Sequence, residues 1–278
     1  MTQTKIWLNG NLVDPEQAVV SVFDHGMLVG DGVFETVRAE HGEPFGLTRH
    51  LRRLSRSAAG LNLPELDQEA LARGTREVLD AAPKWPLARI RVTVTSGVGP
   101  LGSNRGDSGL TISIIVAEQA PFPSTEEVSV APWPRNERGA LAGLKTTSYA
   151  EMALALDYAR QRGCGEALFG TLAGDLCEGT GSNVFVVKGG RLLTPPASTS
   201  GCLEGVTRGL ILEWCDGVEE EIPLEDLYTA EEAFLTSTTR IIQPIRAVDG
   251  TALPAAPGPV TAKAQETFAA RAAERRDP

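Results

Sequence analysis

The sequence predicts a mixed α+β protein of two domains. Three observations carry this reading. Strand-like and helix-like periodicities alternate along the chain. A length of 278 residues exceeds what one core commonly organises. A Pro-rich stretch, Gln119-Ala120-Pro121-Phe122-Pro123-Ser124, separates two periodic regions. The expected division is a smaller domain over 1–118, a linker over 119–124 and a larger domain over 125–278.

Ile6-Trp7-Leu8-Asn9-Gly10-Asn11-Leu12-Val13 reads as a hairpin, because Asn-Gly supplies the positive φ values of a tight turn. Val33 to Arg38 alternates as a strand, and His41-Gly42-Glu43 turns the chain into Pro44-Phe45. Thr48 is the expected N-cap of a helix to about Ala59, with Leu47, Leu51 and Leu54 at helical spacing. A second helix is expected over Asp67 to Ala82, then strands over Arg89 to Thr95 and Leu110 to Ala117. Beyond the linker come a strand near Val128 to Ala131 and an amphipathic helix from Tyr149 to Arg162. Short strands with Gly-rich turns run from Ala167 to Leu193, followed by a helix over Val206 to Cys215. Strands near Val218 to Ile222 and Ala233 to Thr236 and a last helix from Val260 to about Arg275 complete the chain.

A net charge of -10 argues against nucleic acid or an anionic membrane surface as partner. No apolar run approaches a membrane span and no leader pattern opens the chain, so a cytoplasmic location is expected. The four cysteines, Cys164, Cys177, Cys202 and Cys215, are scattered and read as reduced thiols. His25, His41 and His50 are the only histidines and lack metal-ligand spacing, so no metal is expected.

Lys145 is the most informative residue. It lies in Leu141-Ala142-Gly143-Leu144-Lys145-Thr146-Thr147-Ser148-Tyr149, with no other charge, in a chain of five lysines and twenty-one arginines. Desolvation favours the neutral amine, which can attack a carbonyl. Taken alone, a solvated lysine at a helix start is the better reading. Four further segments change the balance. Glu178, in Cys177-Glu178-Gly179-Thr180-Gly181-Ser182-Asn183, is a carboxylate at a strand end that can keep a pyridine nitrogen protonated. Leu203-Glu204-Gly205-Val206-Thr207-Arg208 opens a helix whose N–H groups, with the Thr207 hydroxyl, can hold an anion. Thr236-Ser237-Thr238-Thr239 places four hydroxyls at a strand end. Arg49, Arg52 and Arg53 lie in one helix, and an inward one offers a bidentate partner to phosphate. Each alone is weak, since a polar turn or a solvated basic face explains it equally well.

Together, in this order and spacing, they resemble the fold-type IV (class IV) pyridoxal-phosphate aminotransferases. That group includes branched-chain, D-amino-acid and (R)-amine transaminases and aminodeoxychorismate lyases. The resemblance runs from Ile6 to about Gly250. It rests on Gly30-Asp31-Gly32-Val33-Phe34-Glu35, Arg49-His50-Leu51-Arg52-Arg53-Leu54, the Lys145 segment, Glu178-Gly179-x-Gly181-x-Asn183-x-Phe185, Gly201-x-Leu203-x-Gly205-Val206-Thr207-Arg208, and Thr236 to Thr239 with Pro244. It implies a small α/β N-terminal domain, a larger α+β C-terminal domain, a homodimer and pyridoxal 5'-phosphate as cofactor. Lys145 is then the Schiff-base lysine and general base, and Glu178 the partner of the pyridine nitrogen. Arg53, Val206, Thr207 and Thr238 are the phosphate contacts, with Thr239 next to them, Leu203 the ring contact, and Tyr149 a neighbour of the ring hydroxyl.

The same resemblance implies transfer of an amino group from a small-molecule donor to a 2-oxo acid. Gly30 to Glu35 and Thr236 to Thr239 look like the D-amino-acid enzymes, while Leu101 and Ser103 stand where those enzymes place a carboxylate clamp. D-amino acids with (R)-amines are therefore the expected donors. Val33, Leu101 and Ser103 are the expected substrate contacts, and Arg38, Arg135, Arg138 or Arg240 the replacement cation. Aminodeoxychorismate lyase and branched-chain L-amino-acid aminotransferase are the alternatives.

Overall fold

The structure is a computed structural model that describes residues 3–278. It divides into two compact units. The first takes the described residues through Pro121, together with Leu144–Tyr149 and Arg276–Pro278; the second is Phe122–Gly143 with Ala150–Arg275. This departs from the contiguous second domain expected over 125–278. Backbone pairing is the cause. Phe34 N–H donates to the Lys145 carbonyl at 3.0 Å, Thr147 N–H to Gly32 at 2.8 Å, and Gly46 N–H to Arg276 at 2.8 Å. The Lys145 segment thus runs as a short extra edge beside the Gly32–Glu40 strand, through the Val33–Thr146 bridge.

In the first unit the strands are β1 (Lys5–Leu8), β2 (Asn11–Val13), β3 (Gly32–Glu40), β4 (Glu43–Pro44), β5 (Ala88–Thr95) and β6 (Thr111–Glu118). The helices are α1 (His25–Leu28), α2 (Leu47–Gly60) and α3 (Gln68–Ala81). The sheet is antiparallel throughout, in the order β2-β1-β6-β5-β3-β4. Asn9 and Gly10 both have positive φ in the β1–β2 turn, as the Asn-Gly pair requires. The Asp67 side chain accepts from Ala70 N–H and caps α3. At α2 the expected Thr48 cap is corrected. Gly46 is the cap residue, and Thr48 N–H instead donates to Asp277 at 3.0 Å. Side chains of β3 alternate. Val33, Val37 and Ala39 join Leu51, Leu54 and Ala58 of α2 in one apolar core, and Phe34, Thr36 and Arg38 take the opposite face.

The second unit contains β7 (Glu126–Val130), β8 (Glu166–Gly170), β9 (Leu176–Gly179), β10 (Asn183–Lys188), β11 (Arg191–Thr194), β12 (Val218–Glu219), β13 (Glu232–Ser237), β14 (Ile241–Val248) and β15 (Thr251–Ala252). Its helices are α4 (Ala150–Arg160), α5 (Ala197–Ser200), α6 (Val206–Trp214) and α7 (Pro259–Glu274). Strand order is β12-β11-β10-β13-β14-β7-β8-β9, with β15 on β14; β11–β12, β14–β7 and β7–β8 are parallel and the rest antiparallel. The sequence reading missed β14, because Pro244 argues against a central strand. A register irregularity between Ile245 and Ala247, on the side facing β7, accompanies it. Among the described residues no helix is long and apolar enough to cross a membrane.

Candidate active site

Lys145 is held by its backbone. Its carbonyl accepts from Phe34, and its N–H donates to the buried Ser57 hydroxyl of α2 at 3.1 Å. Its Nζ lies 4.5 Å from the centroid of the Phe34 ring, and the Tyr149 ring meets Phe34 edge-on at 5.2 Å. Arg91 of β5 places its guanidinium carbon 3.5 Å from the same ring centroid. A reactive amine, two aromatic rings and a guanidinium thus share one surface of the first unit. Burial lowers the Arg91 pKa from its ordinary value, yet a guanidinium stays charged.

The opposite face of β3, against α2, carries a buried polar cluster. Glu35 has no exposed surface, and its carboxylate takes Arg53 Nε at 2.7 Å, Arg53 Nη2 at 2.8 Å and His50 Nδ1 at 2.7 Å. The motif segments Gly30 to Glu35 and Arg49 to Leu54 therefore meet at one carboxylate. Burial alone would raise the Glu35 pKa, but the Arg53 and His50 contacts outweigh it and hold the carboxyl well below its usual range. Burial also lowers the His50 pKa, only partly offset by Glu35, with Arg53 and Lys145 pushing the same way as burial. His50 is thus a neutral imidazole donating from Nδ1 to an ionised carboxylate.

Both shifts make the fold acid-sensitive. A His whose folded pKa is depressed costs stability as pH falls below its unfolded value near ~6.5. Glu35, also depressed, loses its contribution as pH falls below the ordinary Glu value of about 4.3. Melting temperature is expected to fall from about pH 6.5 downward, and His50→Gln to flatten the limb between roughly pH 5 and 7. A flat wild-type curve there would contradict the assignment of a buried neutral His50.

In the second unit Glu178 is the penultimate residue of β9 and is buried, not solvated as an isolated turn residue would be. Its Oε2 accepts from Leu203 N–H at 3.0 Å, and its Oε1 lies 3.5 Å from Arg135 Nη2. The β9 carboxylate and the segment leading into α6 are therefore joined directly. Asn183 reinforces the joint by donating from Nδ2 to the Leu203 carbonyl at 2.8 Å. Gly205 caps α6 without a side-chain bond to its first turn. A Cβ at Gly205 would stand 2.0 Å from Asn183 Oδ1, so any other residue there would displace the Asn183 side chain. Val206 and Thr207 then begin α6, both buried, and the cap residue Gly205 offers its first turn no side chain. Of the four consecutive hydroxyls, Thr236 donates to Ile241 and Ser237 accepts from Arg240 N–H, so both tie the turn. Thr238 and Thr239 follow at its apex, the latter buried.

The expected substrate residues fall out differently. Val33 is a core residue beneath α2, because β3 alternation turns it away from Phe34. Leu101 is 74% exposed, and Ser103 is exposed in the same loop. Arg38 pairs with Glu40, Arg240 with Glu126 and Glu166, and Arg135 with Glu151 and Glu178, while Arg138 is exposed near Glu137. Arg91, beside Phe34, was not foreseen; its two-residue alternation with Arg89 in β5 was the available signal. Glu35, His50 and Asn183 lay in quoted motifs but had been given no role. Of the three helical arginines Arg53 alone is buried. No group of three or more His, Cys, Asp or Glu among the described residues suits a metal ion.

An amine for an aldehyde, a buried carboxylate for a ring nitrogen, and arginine, hydroxyl and helix-terminal donors for a phosphate fit pyridoxal phosphate by donor chemistry. Known proteins agree. The amino-transferase class IV family matches residues 32–248. The chain is 38% identical over 278 residues, 95% of each protein, to a putative branched-chain-amino-acid aminotransferase of Methanocaldococcus jannaschii. It is 30% identical over 271 residues, 94% of each, to a D-alanine aminotransferase of Bacillus licheniformis. The crystal structure of the Escherichia coli branched-chain amino acid aminotransferase superposes with a TM-score of 0.89 at 30% identity, covering 96% of this chain and 94% of that one. A family match across most of the chain, with relatives aligned nearly end to end, leaves one conclusion: the chain belongs to the class IV aminotransferases, whose cofactor is pyridoxal phosphate.

Proposed function

We propose that the protein moves the amino group of branched-chain L-amino acids to a 2-oxo acid. The observation that carries this reading is the similarity to the archaeal branched-chain relative, which exceeds that to the D-alanine enzyme. The geometry supports it. Phe34 and Tyr149 offer apolar surface beside Lys145, which rewards an alkyl side chain, and Arg91 supplies a cation for a carboxylate. D-amino acids are suggested by the Gly30 to Glu35 and Thr236 to Thr239 motifs, whereas the extension to (R)-amines rests on Leu101 and Ser103, whose exposed positions weaken it.

Pyridoxal phosphate, when bound, supplies an electron sink that acidifies the Cα proton of the amino donor. Lys145 Nζ would be the group that takes and returns that proton. Glu178 would accept from the pyridine nitrogen and hold it protonated. Leu203 would contact the ring and Tyr149 the neighbourhood of its hydroxyl, and Arg53, Val206, Thr207 and Thr238, with Thr239 beside them, would hold the phosphate. The test is kcat/KM for L-leucine, L-isoleucine, D-alanine and (R)-1-phenylethylamine with 2-oxoglutarate. L-leucine is expected to lead by about two orders of magnitude, since an unpaired buried carboxylate or lost apolar contact costs that much. D-alanine ahead of L-leucine overturns the reading, and 4-aminobenzoate formed from aminodeoxychorismate favours the lyase alternative.

A homodimer completes the proposal. Val19, Val22, Phe23, Met27 and Leu101 are exposed in the first unit, and the Asp24–Val98 bridge sets their two segments side by side. Exposed apolar surface of this kind marks association. Sedimentation is expected to give the dimer mass; an active monomer counts against it. The four free thiols support a reducing, cytoplasmic setting.

A further inference from the structure

Glu35 and His50 take no part in the chemistry assigned above, yet they anchor a deeply buried polar cluster of the first unit. Burying a carboxylate and a guanidinium is expensive, and apolar side chains of equal volume commonly serve a core as well. Such a cluster is therefore informative about what it does to Arg53. A guanidinium is planar. With Nε and Nη2 both taken by the two oxygens of Glu35, at 2.7 and 2.8 Å, its plane and the direction of Nη1 are fixed. Glu35 is fixed in turn. It lies in the middle of β3, and one of its oxygens also accepts from His50 Nδ1 at 2.7 Å. His50 and Arg53 are three residues apart on the buried side of α2, so one helix face presents both groups to the same carboxylate.

We propose that Glu35, braced by His50, is a positioning residue that orients Arg53 toward the phosphate of the cofactor. This rests on the assignment of Arg53 to the phosphate made above. The arrangement carries a consequence that sets it apart from simple charge attraction. Glu35 cancels the charge of Arg53, so the cluster contributes direction and not net positive charge. Removing the Glu35 charge makes the surroundings more positive and at the same time frees the fork to rotate. The two effects act on phosphate affinity with opposite signs, and the structure assigns the larger one to orientation.

The experiment is titration of the cofactor-free enzyme with pyridoxal phosphate, read by tryptophan fluorescence, with inorganic phosphate as competitor. Glu35→Gln is expected to weaken pyridoxal phosphate by about 10- to 100-fold, the range found when a group that orients a ligand is removed. Inorganic phosphate should weaken with it. In an Arg53→Ala background Glu35→Gln should cause no further loss, because a residue acting through Arg53 has nothing left to orient. A Glu35→Gln enzyme that binds as tightly as wild type, or tighter, overturns the proposal. So does an undiminished second loss in the Arg53→Ala background, which would mark a general structural role. Unchanged affinity in Arg53→Ala alone is a different failure, that of the phosphate assignment itself. If Glu35→Gln does not fold, His50→Leu and His50→Gln carry the test. His50→Leu removes the brace and should weaken binding, whereas His50→Gln restores a donor and should recover most of it. Equal, wild-type affinity in both overturns the proposal.

Discussion

Replacement of Lys145 by alanine is expected to abolish turnover while the fold and much of the cofactor affinity survive. The segment is held to β3 and α2 by main-chain groups, Phe34 N–H to the Lys145 carbonyl and Lys145 N–H to Ser57, and alanine preserves both. What disappears is the amine that stands over Phe34. Loss of a general base alone costs about 10²- to 10⁴-fold, and in the proposed role the same amine would also bond the cofactor aldehyde. Turnover is therefore expected to fall by more than roughly 10³-fold. The measurements are kcat/KM and the near-visible absorption of the purified enzyme, which should shift as the bond to Lys145 is lost. A Lys145→Ala enzyme with near-wild-type turnover sinks the mechanism.

The second large effect is expected at Glu178. Glu178→Gln keeps the volume and the acceptor oxygen for Leu203 N–H but removes the negative charge that, in the proposed role, would stabilise a protonated pyridine nitrogen. Arg135 keeps its pairing to Glu151, so the substitution should not leave that cation unpaired. Removing one preorganised electrostatic group costs about 10²- to 10³-fold in the step where charge develops. The rate of Cα deprotonation, read in single turnovers with Cα-deuterated amino donor, is expected to drop by at least about 100-fold. Cofactor affinity should change much less, because the phosphate contacts are untouched. An unchanged deprotonation rate would move the role to another group.

The β1–β2 hairpin and the capped helix α3 were legible from residues alone because their causes are local. Asn9 and Gly10 reach positive φ without help from distant chain, and Asp67 caps its own helix three residues on. The Lys145, Glu178 and Gly205-Val206-Thr207 segments pointed to chemistry only together, through an order and spacing that resembles a known family, since each alone reads equally well as a polar turn or a solvated side chain. Tertiary structure alone decided which side chains face that chemistry. Val33 and Phe34 are adjacent, equally apolar and exchangeable by inspection, and only the pairing of β3 with β5 and the packing of α2 turn one into the core and the other toward Lys145. Arg49, Arg52 and Arg53 look alike in sequence; Glu35, eighteen residues earlier, selects Arg53 by giving its buried charge a partner. Pro244 hid β14, although β13 accepts it in regular register opposite Phe234 and the irregularity lies at Ile245 to Ala247, on the β7 side. Turns and caps are settled within a few residues, whereas burial of a charge is settled by whichever partner the fold brings to it.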